Sequence, residues 1–456
     1  MLKIGWATRD LTPTRPAMLM GQMYPRVARA ALDPITVTAW AVEDVVFVSC
    51  DLCFVSDDNR QDVLALLPAE IPAGNVILSA THTHESLVLI DGWYPHPGGD
   101  VMTLVECRDW AAERIAGAIV EAWRARQPRR VSRAFGHAVV GHNRYAVYAD
   151  GAGAMYGKTN RPDFRAFGGY EDHSVDMFFT WEPDGKLAGV ALAIPCPSQV
   201  DEHAKEFSAD YWHEVRVELR RRFGQQLQVL AWCAPAGDQS PHLLIYQRAE
   251  EEMRRRRGIS ERQEIAQRVG DAVARALACT PPGDDTPVFR HVVRELRLTP
   301  FQVSAKDAVW AQARYDEYVA AGDKNSQDKS NPASDPNAWW PRKLQEVIAT
   351  AKGLSKPEPV WTQIHVVRLG EAVFATSPFE LFLDYSMRIK ARSPAAQTIL
   401  AQLTAGGGGA AGYLASERGV QAGSYGAVPS SCAVGPEGGR ELVEVTLAAI
   451  GDLFAP

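Results

Sequence analysis

The chain of 456 residues carries a formal net charge of −7, and hydrophobic residues make up 46% of it. This composition is typical of a soluble globular protein with a sizeable core and excludes extended disorder. The acidic balance and the lack of a dense lysine and arginine face argue against nucleic acid or an anionic membrane as the main partner.

The N-terminus and the cysteines indicate the compartment. The opening, MLKIGWATRDLTP, lacks the basic and then apolar pattern of a signal peptide, and no apolar run of about 18 residues follows. Seven cysteines with one CxxC pair, Cys50 and Cys53, favour reduced thiols over a disulfide framework. We expect a cytoplasmic protein without a transmembrane segment, or a periplasmic or secreted one if a signal was removed. The oligomeric state stays open, with a homo-oligomer as one alternative.

Short β-branched runs alternate with amphipathic stretches along the chain. Residues 45–48, 76–78 and 227–230 are typical of buried strands, and each run leads into a polar cluster. Helical spacing is found over residues 110–122 and again over 212–219, where Ser208 is the expected N-cap and Gly224 the expected end.

Turn signals complete the predicted fold class. Asp184-Gly185 and Leu369-Gly370 each indicate a hairpin, so the sheets must be partly antiparallel. Residues 304–356 contain helical stretches around a polar centre, which predicts an inserted helical pair with an exposed tip. We therefore predict an α/β protein with mixed β-sheets flanked by helices, forming one domain over residues 1–456.

The element VILSATHTHES places two histidines, His82 and His84, at the end of a predicted strand. Alternate residues of an extended segment share a side, so both imidazoles are expected to face one cleft. Imidazole is a common zinc ligand whose second nitrogen needs an orienting partner, such as Asp51 or Glu85. The pair is either a metal or catalytic site or a polar strand end.

Two further polar segments also follow strands. In CAPAGDQSP, Gly237 permits a close approach of the backbone and Ser240 is exposed in the turn, although an ordinary loop has the same composition. Glu380, in ATSPFELFLDY, lies where a strand meets an amphipathic helix. Its carboxylate is either a metal ligand or a charge at the N-terminus of the helix.

Taken together and in order, these elements resemble the neutral ceramidase family, zinc amidohydrolases that cleave the N-acyl bond of ceramide. The resemblance rests on WATRDLTP, THTH, HNRY, AGDQSP, SPFELF and GYLASERGVQAGSY, which follow the sequence order of the family and span about residues 3–454. It implies a ceramidase-like fold and a zinc site, with zinc or another divalent metal as the cofactor.

The resemblance also implies a set of metal ligands. His82 matches the first, zinc-binding histidine of the family motif, Glu380 matches the carboxylate ligand, and Tyr413 matches the tyrosine ligand. Cys196 stands where the family has its second zinc histidine, and a thiolate binds zinc well. The alternatives are that His203, seven residues later, replaces it, or that the site is degraded.

The remaining matched residues carry the chemistry that the resemblance implies, attack of metal-activated water on an amide or ester carbonyl. His84 would shuttle a proton to the leaving group. Arg144 and Tyr425, the latter twelve residues after Tyr413, would donate hydrogen bonds to the developing oxyanion. Ser240 matches a serine once proposed as the nucleophile, and we expect it to position rather than attack.

Two departures from the family leave other functions open. The segment ESLVLIDGWYPHPGG after THTH rebuilds the substrate wall, and the immunoglobulin-like domain at the C-terminus of the family has no counterpart here. Trp93 with Tyr94 and Trp339 with Trp340 suit a carbohydrate or glycoconjugate substrate, or ordinary packing. The substitution at Cys196 also admits a metal-free binding protein. The expected partner is a small molecule, a lipid or a glycoconjugate.

Overall fold

The computed structural model describes residues 1–283, 286–324, 339–408 and 412–455. Its strands are β1 (Leu2–Asp10), β2 (Ala17–Leu19), β3 (Arg26–Ala28), β4 (Thr36–Val42), β5 (Val45–Cys50), β6 (Val76–Ala80), β7 (Gln127–His137), β8 (His142–Asn143), β9 (Tyr145–Tyr148), β10 (Gly153–Met155), β11 (Phe164–Phe167), β12 (Ser174–Trp181), β13 (Leu187–Ile194), β14 (Gln228–Cys233), β15 (Gln239–Ser240), β16 (Phe289–Leu298), β17 (Val360–Leu369), β18 (Ala372–Thr376), β19 (Glu380–Leu381), β20 (Gln397–Ala401) and β21 (Tyr413–Leu414). Its α-helices are α1 (Asp57–Leu64), α2 (Leu104–Arg124), α3 (Tyr211–Phe223), α4 (Gln247–Arg257), α5 (Glu261–Leu277), α6 (Ala305–Lys324), α7 (Trp339–Ala351), α8 (Leu383–Arg392), α9 (Glu417–Ala422) and α10 (Pro436–Phe454), and Ala73–Asn75 form a 3₁₀ turn.

Two mixed sheets make up the centre of the fold. The larger has the strand order β14-β13-β12-β7-β1-β4-β5-β6, and the smaller has the order β16-β17-β18-β20. The pairs β5–β6, β13–β14 and β18–β20 are parallel, and the other neighbours in these two sheets are antiparallel. The predicted α/β fold with mixed sheets is confirmed.

Side chains from both sheets interdigitate in one apolar layer. Alternate residues of a strand point to opposite faces, so in β4 Trp40 points toward the smaller sheet while Ala39 packs against the layer that contains α2. The buried aromatic rings of this layer come from β1, β4, β5, β12, β14 and β18, and they are Trp6, Trp40, Phe47, Phe178, Trp232 and Phe374. Ring centroids of Phe47 and Phe374 lie 5.4 Å apart, which couples the two sheets directly.

Helices cover the outer faces. The larger sheet is covered by α2 on one part and by α3 with α5 on the other. The smaller sheet is covered by α8 and α10. In the part of the chain that the structure describes, no helix has both the length and the apolar character needed to cross a bilayer.

Most predicted local signals are found where expected. The turns at Gly185 and Gly370 have φ angles of 87° and 63° and connect antiparallel strands. Helix α3 ends before Gly224, as predicted. The predicted N-cap at Ser208 is wrong, because α3 begins only at Tyr211. The Ser208 hydroxyl donates to Asp33 at 2.7 Å and accepts from the Asp210 backbone N–H, which precedes the helix, at 2.9 Å. The carboxylate of Asp210 instead accepts from the first backbone N–H of the helix at 2.7 Å.

The segment 304–356 contains two helices, α6 and α7, as its spacing predicts. They pack through a small apolar cluster that contains Ala311, Leu344 and Val347. The polar centre for which an exposed tip is predicted falls mostly outside the described residues. That the chain forms one domain stays a prediction.

Candidate active site

The candidate site lies at the carboxyl ends of strands from both sheets. Strands β5 and β6 run parallel and end side by side, so Cys53 and His82 follow them at the same edge. From the smaller sheet, β18 leads into the short strand β19, where Glu380 pairs in parallel register with Tyr413 of β21. The carboxyl ends of parallel strands are a common place for ligand sites in α/β folds.

The imidazole of His82 is fixed on both sides. Its Nδ1 lies 2.6 Å from the backbone carbonyl of Cys53, and its Nε2 lies 3.3 Å from Oε2 of Glu380. Because a carbonyl oxygen only accepts hydrogen bonds, Nδ1 must carry the proton. Burial lowers the pKa of His82, but Cys53 and Glu380 raise it well above its usual value. A divalent cation would replace the proton on Nε2, whose lone pair would then face Glu380.

The reason for this placement differs from the one predicted. Strand β6 ends at Ala80, and His82 has a left-handed backbone with φ of 65°, so strand alternation does not bring the histidines together. The expected orienting residues are engaged elsewhere. Asp51 binds Arg216 through two bonds of 2.7 and 2.9 Å, and Glu85 lies 3.5 Å from Arg26.

His84 lies beside His82, with their ring centroids 5.2 Å apart. Nitrogen Nε2 of Gln199 lies 2.6 Å from Nε2 of His84, and the amide of Gln22 approaches Nδ1 at 3.4 Å. Within the described structure, Oε1 of Gln199 is buried and has no hydrogen-bond partner. Turning this amide lets His84 Nε2–H donate to Oε1 and leaves Nδ1 as the acceptor.

Burial lowers the pKa of His84 well below its usual value, and the charges of His82, Arg26 and Arg144 lower it further. The ring is also held against the backbone of Gly21, which has φ of 108°. A Cβ at Gly21 would lie 2.3 Å from Cγ of His84, so only glycine fits there. His84 is thus a neutral and tightly held imidazole.

Arg144 joins three parts of the site. Its Nη2 donates to the Gly237 carbonyl at 2.8 Å and to the Tyr413 hydroxyl at 3.0 Å. The expected close approach at Gly237 is confirmed, because a Cβ there would lie 2.3 Å from the carbonyl oxygen of Glu380. Burial alone would raise the pKa of Glu380, but His82, Arg144 and a hydrogen bond from Tyr413 lower it. The carboxylate is therefore ionised.

Tyr425 and Ser240 also lie near this group, Tyr425 against Tyr413 and Ser240 three residues after Gly237. The ring of Tyr425 lies 5.5 Å from that of Tyr413, edge to face. The buried Ser240 hydroxyl accepts from the Tyr156 hydroxyl and from the His242 backbone N–H, both at 3.1 Å. The sequence predicts that Ser240 is exposed in its turn, and this prediction is wrong. Its side chain is buried and held in a polar network.

The two candidates for a further ligand lie outside the His82–Glu380–Tyr413 group. The Cys196 thiol is buried in the core under β13 and β14 and donates to the carbonyl of Pro197 at 3.4 Å. The side chain of His203 is 70% exposed, and its Nδ1 lies 2.9 Å from the Tyr24 hydroxyl. Cys196 and His203 as metal ligands stay predictions.

Sequence reasoning missed Cys53. Among the described residues, Cys53, His82 and His84 form a group whose candidate ligand atoms lie within 4.8 Å of one another. The Cys53 sulfur is 3.8 Å from Nδ1 of His82, on the protonated side of the ring. We therefore favour a metal position on the Nε2 side, with Glu380. The sequence feature that could have pointed to Cys53 is its place in the CxxC pair, three residues after the end of β5.

The residues present fit a divalent metal. Two ligands of one tetrahedral zinc ion, each about 2.1 Å from the ion, stand about 3.4 Å apart. Nε2 of His82 and Oε2 of the ionised Glu380 are 3.3 Å apart, and the phenol of Tyr413 lies next to the Glu380 carboxylate. Nitrogen and oxygen donors of this kind are common zinc ligands.

Comparisons with known proteins identify solved structures that have the same fold. No protein-family model matches the chain, and no curated protein matches its sequence. A crystal structure of neutral ceramidase from Pseudomonas aeruginosa superposes with a TM-score of 0.69 and 16% identity, covering 100% of this chain and 75% of that chain. The chain has the fold of the neutral ceramidases. A structure described as ceramidase complexed with C2 agrees, with a TM-score of 0.68, 16% identity, and coverage of 99% and 75%.

The predicted resemblance to neutral ceramidases is thereby confirmed for the fold. At 16% identity the likeness does not extend to substrate or chemistry. The residues matched on short motifs nevertheless converge in space, because Arg144 contacts Tyr413, Tyr425 packs on Tyr413, and Glu380 approaches His82.

Proposed function

We propose that the chain is a metal-dependent hydrolase that uses water to attack the carbonyl of a carboxamide or ester. One observation carries the proposal: Nε2 of His82 lies 3.3 Å from the ionised carboxylate of Glu380, which also accepts a hydrogen bond from Tyr413. A neutral nitrogen donor and an anionic oxygen donor at this separation suit one divalent cation. The fold of the neutral ceramidases adds to this support.

His82, Glu380 and Tyr413 would hold the metal, which is zinc in this proposal. Cys196 joins them as a proposed fourth ligand on the strength of the sequence. When bound, zinc supplies a Lewis acid that polarises a carbonyl and makes water more acidic. The Cys53 carbonyl orients the ring of His82 from behind, as backbone carbonyls commonly do for metal-binding histidines.

Arg144 and Tyr425 would stabilise the negative charge that develops on the carbonyl oxygen. The Gly237 carbonyl and the Tyr413 hydroxyl hold the Arg144 guanidinium in place before substrate arrives. Burial raises the pKa of Tyr425, so its hydroxyl keeps its proton and can donate it in a hydrogen bond. Donors fixed in advance contribute most to oxyanion stabilisation.

His84 would move the proton. Its ring is neutral, and with Nε2 bonded to Gln199 it has an acceptor at Nδ1, which can take a proton from water and pass it to the leaving group. Glu202 lies 3.6 Å from this Nδ1 and would stabilise the imidazolium that forms. Ser240, which accepts two hydrogen bonds within the protein, is proposed as a positioning residue.

The test is metal analysis joined to a hydrolysis assay. Protein purified without chelator should contain about one divalent metal per chain and release acid from N-acyl or ester substrates. The His82→Ala variant should lose both the metal and the activity, while the surface variant His137→Ala should keep them. A wild-type chain that folds but binds no metal would instead indicate a metal-free binding protein on this fold.

A further inference from the structure

Two segments that are distant in sequence meet beside the candidate site. The ring of Trp340, at the start of α7, packs 5.6 Å from the ring of Tyr425. Two residues later, Arg342 donates to the backbone carbonyl of Gly92 at 3.1 Å. The inserted helices and the loop of residues 86–100 thus form a joint wall next to the oxyanion side of the site.

The same loop also brings aromatic rings next to residues that adjoin His84 and Cys53. Trp93 donates through Nε1 to the Gln22 carbonyl at 3.5 Å, and the Tyr94 hydroxyl donates to the same oxygen. The amide of Gln22 is the group that approaches Nδ1 of His84. Trp93 also packs 6.3 Å from Phe54, the residue after Cys53. Aromatic rings therefore flank the reacting groups from two directions.

The surface beyond His84 is strongly polar. Oε1 of Glu202 lies 3.5 Å from the His242 imidazole and 3.9 Å from that of His203. The carboxylate is largely buried, with 13% of the side chain exposed. The His203 ring is stacked on Tyr24 and open to solvent. A carboxylate, two imidazoles and the Gln22 amide thus offer hydrogen bonds on the leaving-group side.

Resting on the proposed function, we propose that the site takes an N-acyl or O-acyl group carried on a polyhydroxylated ring, that is, an acylated sugar or amino sugar. The C–H face of such a ring stacks on indole and phenol rings, as Trp93 and Trp340 would provide. Its hydroxyls bond to carboxylate, amide and imidazole groups, as Glu202, Gln22 and His242 would provide. A long alkyl chain would strip water from these polar groups without replacing their hydrogen bonds.

Three acyl compounds separate the alternatives when assayed with metal-loaded enzyme: an N-acetylhexosamine, N-acetylcyclohexylamine, which keeps the ring without hydroxyls, and an N-acylsphingosine. We expect kcat/KM for the hexosamine to exceed the others by at least about tenfold. Trp340→Ala and Trp93→Ala should raise KM for the sugar about tenfold and change kcat little. The matched control is Trp123→Ala, at the far end of α2 beside Arg126, and it should change neither.

Preferred cleavage of the N-acylsphingosine, with equal effects of the tryptophan variants on all three compounds, would overturn the inference and leave the hydrolase proposal intact. If neither these amides nor an O-acetylated sugar is cleaved, the hydrolase proposal fails instead. Calorimetric binding of the N-acetylhexosamine then decides the inference by itself. Binding that Trp340→Ala weakens supports it, and no binding to the wild-type chain refutes it.

Discussion

The Nε2 atom of His82 and the carboxylate of Glu380 face each other at 3.3 Å, on the side of the ring opposite the Cys53 carbonyl. Replacing Glu380 by glutamine keeps the shape and removes the negative charge. We expect Glu380→Gln to weaken metal binding by at least about 100-fold, because a neutral amide oxygen is a poor substitute for an anionic ligand. Metal content after dialysis measures this, with the exposed Glu371→Gln as the control. Full metal retention in Glu380→Gln would exclude Glu380 as a ligand.

The position of Cys53 leads to a contrasting expectation. Its backbone carbonyl, not its thiol, orients His82, so Cys53→Ala should keep both metal stoichiometry and activity within about threefold. Cobalt-substituted protein offers a direct check, because a thiolate ligand adds a strong sulfur-to-metal charge-transfer band. Loss of metal or of such a band in Cys53→Ala would place the sulfur in the coordination sphere. The same spectrum of Cys196→Ala tests the proposed fourth ligand.

Gly21 fixes where the ring of His84 can lie. A methyl group at this position would overlap the ring, with Cβ 2.3 Å from Cγ. We expect Gly21→Ala to lower kcat about 100-fold while metal content stays unchanged, because a displacement of about 1 Å at a catalytic group costs that much. Gly98→Ala is a matched control, since Gly98 also has positive φ but nothing lies within 4 Å of its Cβ position. Equal activity of the two variants would show that His84 tolerates displacement.

Burial raises the pKa of Asp210 to about 6 in the folded protein, from an ordinary value of 3.8. Because the folded state binds this proton more tightly than the unfolded state, the protonated carboxyl group stabilises the fold at pH values below 3.8. This stabilisation is lost as the pH rises through about 6. The cost of ionising Asp210 in the folded state is about 3 kcal/mol. In urea unfolding, the free energy of unfolding of Asp210→Asn should therefore increase relative to that of the wild type between pH 5 and pH 7. Asp184→Asn, in an exposed turn, should show no such gain.

The sequence was sufficient to predict the class of fold. Glu380, Tyr413, Arg144 and His82 were predicted from their match to short family motifs, and the fold brings these four side chains together. The contribution of the backbone to the site could not be predicted from the sequence. The Cys53 carbonyl and the left-handed φ of His82 carry no residue-specific signal.

Two further features of the structure could not be predicted because they depend on contacts between residues distant in sequence. Ser208 is a residue type that favours N-caps, but its hydroxyl donates to the buried carboxylate of Asp33, a contact distant in sequence, and the helix begins after Asp210. Likewise, Gln199 and Gln22 are ordinary polar residues until the fold brings their amides to the ring of His84. Long-range contacts of single polar side chains leave no pattern in a single sequence.

The parallel pairing of Glu380 with Tyr413 has an evolutionary consequence. Backbone hydrogen bonds between β19 and β21 set the spacing of these two donors, whatever surrounds them. The loop of residues 86–100 and helices α6 and α7 hold none of the three donors of the His82 group. The walls of the candidate site can therefore change by insertion or substitution while the spacing of these two donors stays fixed.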